Sequence, residues 1–143
     1  MSLANILLVD DEVPFVETMT KRLKKRGFEI LSAHSGLDAL DQLSRNHSIE
    51  VVILDVKMPG MDGIQTLEQI KHKFPITEVI MLTGHATVES AIDGMRLGAF
   101  DYLMKPCEME QLVSKVEGAA MRRRSHEEKI IQARMKEITS RMA

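Results

Sequence analysis

The chain has 143 residues, 44% of them hydrophobic and 28% charged, with a net charge of −2. That length suits one domain, and that apolar share can bury a core, which excludes a disordered polar chain. The near-neutral charge, the 3% aromatic content and the absence of Trp exclude a strongly basic or base-stacking surface for nucleic acid. A single cysteine, Cys107, rules out an internal disulfide framework and suits a reducing compartment. No apolar stretch reaches membrane-spanning length and no signal-peptide pattern opens the chain, so a cytoplasmic location without a membrane partner is expected.

Ile6 to Val9 is a short apolar run that reads as a strand buried on both faces. Pro14 suits a first helical turn, and Phe15, Val16, Met19 and Leu23 follow at helical spacing. Lys21, Arg22, Lys24, Lys25 and Arg26 load the end of that helix, where the dipole favours cations, and Gly27 stops it. Glu29 to Ala33 is a second strand, followed by a helix from Gly36 to Arg45 that turns Leu37, Leu40 and Leu43 inward. Val51 to Leu54 is the third strand. The turn-rich loop from Met58 to Gly63 follows, with Asp62 as the N-cap of a helix carrying Ile64, Leu67 and Ile70 until Pro75. Val79 to Leu82 is the fourth strand. A helix from Thr87 to Leu97 then turns Val88, Ala91, Ile92 and Met95 inward, with Gly98 as its stop. A short fifth strand lies around Tyr102 to Met104, and a last helix begins near Glu108.

Five strands alternating with five helices predict an α/β fold, a parallel sheet with helices on both faces and right-handed crossovers. The flavodoxin-like doubly wound strand order, 2-1-3-4-5, puts the switch point between strands one and three. Residues 4–120 are expected to form this domain, and residues 121–143 a helical extension or linker. A continuous helix from Glu108 would extend roughly 50 Å, where an average helix of about 11–12 residues would cover the sheet. Leu112, Val116 and Ala119 make its packing stripe; Arg122-Arg123-Arg124 and the polar residues after them interrupt the stripe and read as a solvated face. Ile131, Met135, Ile138 and Met142 then recur as a short a/d seam.

The chemistry gathers at the strand ends. Asp10 and Asp11 follow the first strand and Asp55 the third, so their carboxylates enter the crevice at the switch point. Thr83 ends the fourth strand and Lys105 the fifth. Like charges held close raise one another's pKa unless a cation neutralises them, and a hard divalent ion with oxygen ligands is the natural partner. A carboxylate nucleophile beside a metal, a hydroxyl and an ammonium makes a phosphoryl-transfer site. Taken singly, each residue has an ordinary reading: the acids cap the next helix, Thr83 is a turn residue and Lys105 is solvated. Five of them at the ends of four strands on one edge favour the joint reading.

Leu8-Val9-Asp10-Asp11-Glu12, Leu54 to Gly63, Leu82-Thr83-Gly84 and Gly98 to Pro106 together resemble the receiver domain of two-component response regulators (CheY-like), over about Asn5 to Gly118. The resemblance implies that a histidine kinase or phosphotransfer protein charges Asp55 as phosphoacceptor. It implies a Mg²⁺ ion, with Mn²⁺ as a substitute, held by Asp11, Asp55 and the backbone carbonyl of Lys57, with Asp10 acting through water. It makes Lys105 the phosphate-binding lysine, Thr83 and Tyr102 a switch pair, and the Lys105–Pro106 bond cis. A self-phosphorylating, self-dephosphorylating phosphoacceptor is then expected rather than a turnover enzyme, with homodimer formation on activation through the fourth-helix and fifth-strand surface or the terminal seam. For Tyr102, ordinary packing against the fourth helix is the alternative reading.

Two other classes compete. Haloacid-dehalogenase-like phosphohydrolases also combine an Asp nucleophile, Mg²⁺, Thr and Lys, with a second Asp two residues after the nucleophile; Lys57 stands there. A flavin or nucleotide binder on this fold would want a Gly-rich loop after the first strand, where Asp-Asp-Glu repels phosphate instead. His85 borders the expected site, as does the Lys57 side chain; His34, His47, His72 and His126 show no metal-ligand spacing. Too few residues follow Lys129 for a DNA-binding domain, so no direct nucleic-acid contact by this chain is expected. The stretch from Gly98 to Cys107 and the helix beyond it are similar to receivers of transcription regulators with a central ATPase domain, so a receiver either standing alone or cut before its effector is expected.

Overall fold

A computed structural model describes residues 3–142, so the expected end of the extension at Ala143 lies outside it. Five strands, β1 (Asn5–Val9), β2 (Glu29–Ala33), β3 (Val51–Leu54), β4 (Glu78–Thr83) and β5 (Asp101–Met104), form one parallel sheet in the order β2-β1-β3-β4-β5. Helices α1 (Val13–Lys25), α2 (Gly36–Arg45), α3 (Gly63–Lys73), α4 (Val88–Arg96) and α5 (Met109–Met142) alternate with them. The sheet is therefore the doubly wound, flavodoxin-like one that the alternation predicts. Val9 pairs with Leu54 at the last rung between β1 and β3, so both strands end level.

The alternation of side chains divides the core. Ile6, Leu8, Ile53, Ile80 and Leu82 face α1 and α5, which bring Val16, Met19, Leu23, Leu112 and Val116. Leu7, Val9, Val52, Leu54, Val79 and Met81 face the other way, against Ala39, Leu43, Leu67 and Ile70 of α2 and α3. Burial on both faces is why these strands read as unbroken apolar runs. Gly27 and Gly98 end α1 and α4 at φ of 93° and 101°, the left-handed region that glycine enters freely. Asp62 caps α3 through a capping box, its side chain accepting from the Gln65 N–H.

Two inward assignments are corrected. Leu37 is 68% exposed; α2 buries Gly36, Ala39 and Leu43 instead, a stripe that leaves Leu37 one residue off the sheet-facing side. On α4, Val88, Ile92 and Met95 are exposed and only Gly94 is buried, with Ala91 half-buried. Gly94 is the residue this helix turns to the sheet: a Cβ there would sit in ordinary van der Waals contact, 3.5 Å from the Tyr102 ring and 3.7 Å from the Met81 side chain, and the large apolar residues lie on the other sides of the helix.

The reading of Arg122-Arg123-Arg124 as a solvated face holds for the exposure of Arg122 and Arg124, at 46% and 52%, but not for Arg123, whose side chain is 11% exposed, and it misses the acids that the outer two hold. α5 is continuous through this stretch. Arg122 pairs with the buried carboxylate of Glu78 at the start of β4, with its Nη2 2.9 Å from Glu78 Oε1. Arg124 pairs with buried Glu50 before β3, at 2.5 and 3.0 Å. Lys71 also reaches Glu78, at 3.5 Å, and the Asn5 N–H donates to Glu50 at 3.1 Å. The guanidinium fork matches a carboxylate with two parallel bonds, which is what allows these acids to stay buried. Beyond this point α5 leaves the domain, and Ile131, Met135, Ile138 and Met142 are exposed. No helix among the described residues is long and apolar enough to cross a membrane.

Two measurements check this packing. Gly63 opens α3 so close to β3 that an added Cβ would strike the Asp55 carbonyl and lie 2.7 Å from Val56 Cα. Gly63→Ala is expected to lower unfolding stability in urea by roughly 1–3 kcal/mol or more; a loss of a few tenths would show that the helix start can shift freely. For Glu50, burial raises the carboxyl pKa, but hydrogen bonds from Arg124 and the Asn5 N–H outweigh it and hold the group below its ordinary value. A carboxyl depressed in the folded state stabilises the protein above its unfolded pKa, and that contribution is lost as pH falls through the folded value. Glu50→Gln should therefore cost about 1–2 kcal/mol at neutral pH, with the gap to the unsubstituted protein narrowing below about pH 4. A gap independent of pH would assign the loss to packing instead.

Candidate functional site

The strand ladder delivers the first two acids. The Asp10 N–H donates to Ala33 O at 3.1 Å and the Asp55 N–H to Val9 O at 3.0 Å, so both residues still sit on the sheet while their side chains pass its edge. Both carboxylates are buried, and Asp11 beside them is exposed. One oxygen from each of Asp10, Asp11 and Asp55 lies within 4.8 Å of the others. The sequence-predicted acidic cluster is therefore assembled at the switch point.

Lys105 enters from the loop after β5, its N–H bonded to Thr83 O at 2.9 Å, and its peptide bond to Pro106 is cis. Its Nζ lies 2.6 Å from Asp10 Oδ2, 3.4 Å from Glu12 Oε1 and 3.9 Å from Asp55 Oδ2. The ammonium thus rests on Asp10 and faces Asp55. The other Asp55 oxygen accepts from the Val56 N–H at 2.8 Å. Burial opposes the charge on Lys105, but the bond to Asp10 and the nearby Asp55 and Glu12 charges outweigh it and raise its pKa. For Asp10 the balance runs the other way. Burial raises its pKa and the Asp55 charge adds to that, against hydrogen bonds from Lys105 and the Glu12 N–H.

Thr83 is fully buried and its hydroxyl oxygen accepts from the His85 N–H at 3.0 Å. Tyr102 is half-buried, with its hydroxyl 2.6 Å from Ser90 Oγ on α4. Ser90 also belongs to the capping box of that helix, so the tyrosine is tied to the cap. Asp11, Glu12, Lys57, Met58, Pro59 and His85 line an open cleft over the cluster. His34 touches the edge of this region through a 3.0 Å contact between Nδ1 and Asp10 O.

Three residues are given no role at the site by the sequence reading: Glu12, which lies inside the first motif, and Phe15 and Ser90, which lie outside all of them. Glu12 joins Asp10 and Lys105 directly, and its charge next to the paired aspartates was the available signal. The Phe15 ring lies under Lys105, with Nζ 3.9 Å from its centroid; its helical spacing marks it only as a core residue. Ser90 has no sequence signal, because its contact with Tyr102 depends on how α4 sits on β5.

The donor set suits a hard cation. Asp10, Asp11, Asp55 and Glu12 bring four carboxylates against one ammonium from Lys105, with oxygen the only donor atom in the cluster itself. Such a site favours magnesium, calcium or manganese over softer metals.

The sequence model for the response regulator receiver domain matches residues 6–117. The transcriptional regulatory protein ZraR of Escherichia coli K12 is 36% identical over 115 residues, 80% of this chain and 26% of ZraR. The NtrX-like putative response regulator of Rickettsia bellii is 38% identical over 79% of this chain and 24% of its own length. The chain thus spans about a quarter of these curated relatives. Among solved structures, a receiver domain protein from Clostridium thermocellum superposes with a TM-score of 0.81 at 38% identity, covering 85% of this chain and 97% of that one. NtrX from Brucella abortus gives a TM-score of 0.80 at 32% identity, over 90% of this chain and 29% of that protein. The haloacid-dehalogenase alternative finds no support in these matches, and Lys57 occupies the place where its second aspartate would stand. By sequence and by fold, this chain belongs to the response regulator receiver domain family, whose members are phosphoacceptors of two-component signalling.

Proposed function

We propose that Asp55 is the phosphoacceptor and that a histidine kinase or a phosphotransfer protein charges it. The observation that carries this reading is the buried Asp55 carboxylate with one oxygen held by the Val56 N–H and the other facing Lys105 Nζ at 3.9 Å. A carboxylate is ionised at neutral pH and needs no general base. Its oxygen attacks phosphorus, the bond from phosphorus to the donor breaks, and an acyl phosphate forms. Asp11, Asp55, the Lys57 carbonyl and, through water, Asp10 would hold Mg²⁺, or Mn²⁺ in its place, which would supply charge stabilisation at the phosphoryl oxygens. Lys105 neutralises another of these oxygens. The chain carries a mark and loses it; it does not turn over substrate.

Thr83 and Tyr102 serve as the switch. The phosphoryl group adds charge and strong acceptors. Thr83 donates to it on moving toward Asp55, and Tyr102 turns into the space released. Because Tyr102 is bonded to Ser90 in the α4 cap, its rotation also loosens the start of α4. This is a shift between two packings biased by one covalent group.

Residues 4–120 act as the receiver and residues 121–143 as the connection to an output, in the cytoplasm. ZraR is named a transcriptional regulatory protein, and control of transcription is the output we propose here too, by way of a separate effector, since a net charge of −2 supplies no strongly basic field for DNA. Homodimer formation on activation uses the exposed α4–β5 face, where Val88, Ile92, Met95 and Met104 lie, or the exposed seam of α5.

Incubation with Mg²⁺ and acetyl phosphate is expected to add one phosphoryl mass, absent in Asp55→Asn and after chelation and restored by Mn²⁺; an unmodified mass in the unsubstituted chain would reject the reading. Sedimentation at high concentration is expected to show a dimer strengthened by beryllofluoride. A monomer under both conditions would remove the dimer from the scheme.

A further inference from the structure

The Lys105 ammonium has an aromatic neighbour that the motif residues do not account for. Phe15 lies in the first turn of α1, three residues after Glu12, and is half-buried against the core between α1 and α5. Its ring centroid is 3.9 Å from Lys105 Nζ, well inside the distance at which a ring face attracts a cation. On its other sides the same nitrogen meets Asp10 at 2.6 Å, Glu12 at 3.4 Å and Asp55 at 3.9 Å. The Lys105 side chain is 13% exposed, so the cation has given up most of its water. A lysine carries three N–H donors on a flexible stem and would otherwise swing toward solvent. The negative face of the ring opposes that swing without competing for the donors that the carboxylates use.

We propose that Phe15 is a positioning residue for Lys105, its ring forming the wall that keeps the ammonium at the Asp10–Asp55 carboxylates and out of bulk water. The proposal rests on the reading of Asp55 as phosphoacceptor. In the transfer from acetyl phosphate, an Asp55 carboxylate oxygen bonds to phosphorus and the bond from phosphorus to the acetate oxygen breaks. Acetate leaves with that electron pair. Lys105 exchanges no proton; it contributes a charge at a fixed place, and Phe15 contributes the place. Preorganised charge of this kind lowers a barrier because it needs no rearrangement when the reaction occurs. A leucine at position 15 fills comparable space but has no charged face, so it tests the ring and not the packing alone.

The test measures the rate of adduct formation from acetyl phosphate with saturating Mg²⁺, by intact mass, in the full chain. Phe15→Leu is expected to slow it roughly 3- to 10-fold, and Phe15→Tyr to recover most of the loss. Pentafluorophenylalanine at position 15 keeps the shape and inverts the charge of the face; it should be as slow as leucine or slower. It also decides the matter if Phe15→Leu fails to fold. Equal rates for phenylalanine and its fluorinated form would show that the ring acts by shape, and the proposal would fall while Asp55 kept its role. No adduct in the unsubstituted chain would overturn both.

Discussion

Everything at the upper edge of this molecule follows from putting two carboxylates at the ends of adjacent parallel strands. The register that pairs Val9 with Leu54 leaves Asp10 and Asp55 side by side and buried. Two like charges in a poorly solvated crevice are unstable alone. One cation, Lys105, is drawn in from β5 and offsets part of that charge. It does not balance Asp11 and Glu12 as well. The residual negative charge suits the crevice to a divalent cation with oxygen ligands.

The lower edge of the same sheet makes the contrast. Glu50 and Glu78 are also buried acids at strand ends, yet nothing about them invites a ligand. Arg124 and Arg122 occupy their oxygens with two bonds each, and Lys71 and the Asn5 N–H take part of what remains. The acids below are satisfied by their own chain, whereas those above are left in excess. That difference in partners, and not the residue type, separates a fastening from a site. The fastening also fixes where α5 leaves the domain, so the projecting seam keeps a defined direction relative to the sheet.

Elements that answer to local rules were legible in the sequence. The strands showed as apolar runs because both faces are covered, and the helix stops at Gly27 and Gly98 and the cap at Asp62 showed because each has a backbone reason. The acids, Thr83 and Lys105 showed because strand ends in a parallel sheet share an edge. What escaped depended on distance along the chain. Arg122 lies 44 residues from Glu78, and Arg124 lies 74 from Glu50, so a run of arginines on a helix gives no hint of buried partners. Leu37 and the apolar residues of α4 were misplaced for a related reason. Periodicity marks an apolar face, but only tertiary packing decides whether the small residues or the large ones meet the sheet.

α4 is where these constraints are weakest, and this bears on how the proposed mark on Asp55 would be felt elsewhere. It buries a single residue, Gly94, and leaves Val88, Ile92 and Met95 outside. A helix held by so little apolar contact opens or shifts at low cost compared with α1 or α5. Its start is fixed by a hydroxyl network of Thr87, Ser90 and Tyr102, in which the Ser90–Tyr102 bond crosses to β5. Thr83, at the end of β4, pairs with Met104 of β5, two residues from that tyrosine along the same strand. The buried hydroxyl near the acids and the loosely held helix are therefore joined through β5, while the core on the α1–α5 side stays packed. In the switch we propose, a change at Thr83 would meet this weakly held helix before the packed core, and the exposed apolar face of α4 would be the surface that changes.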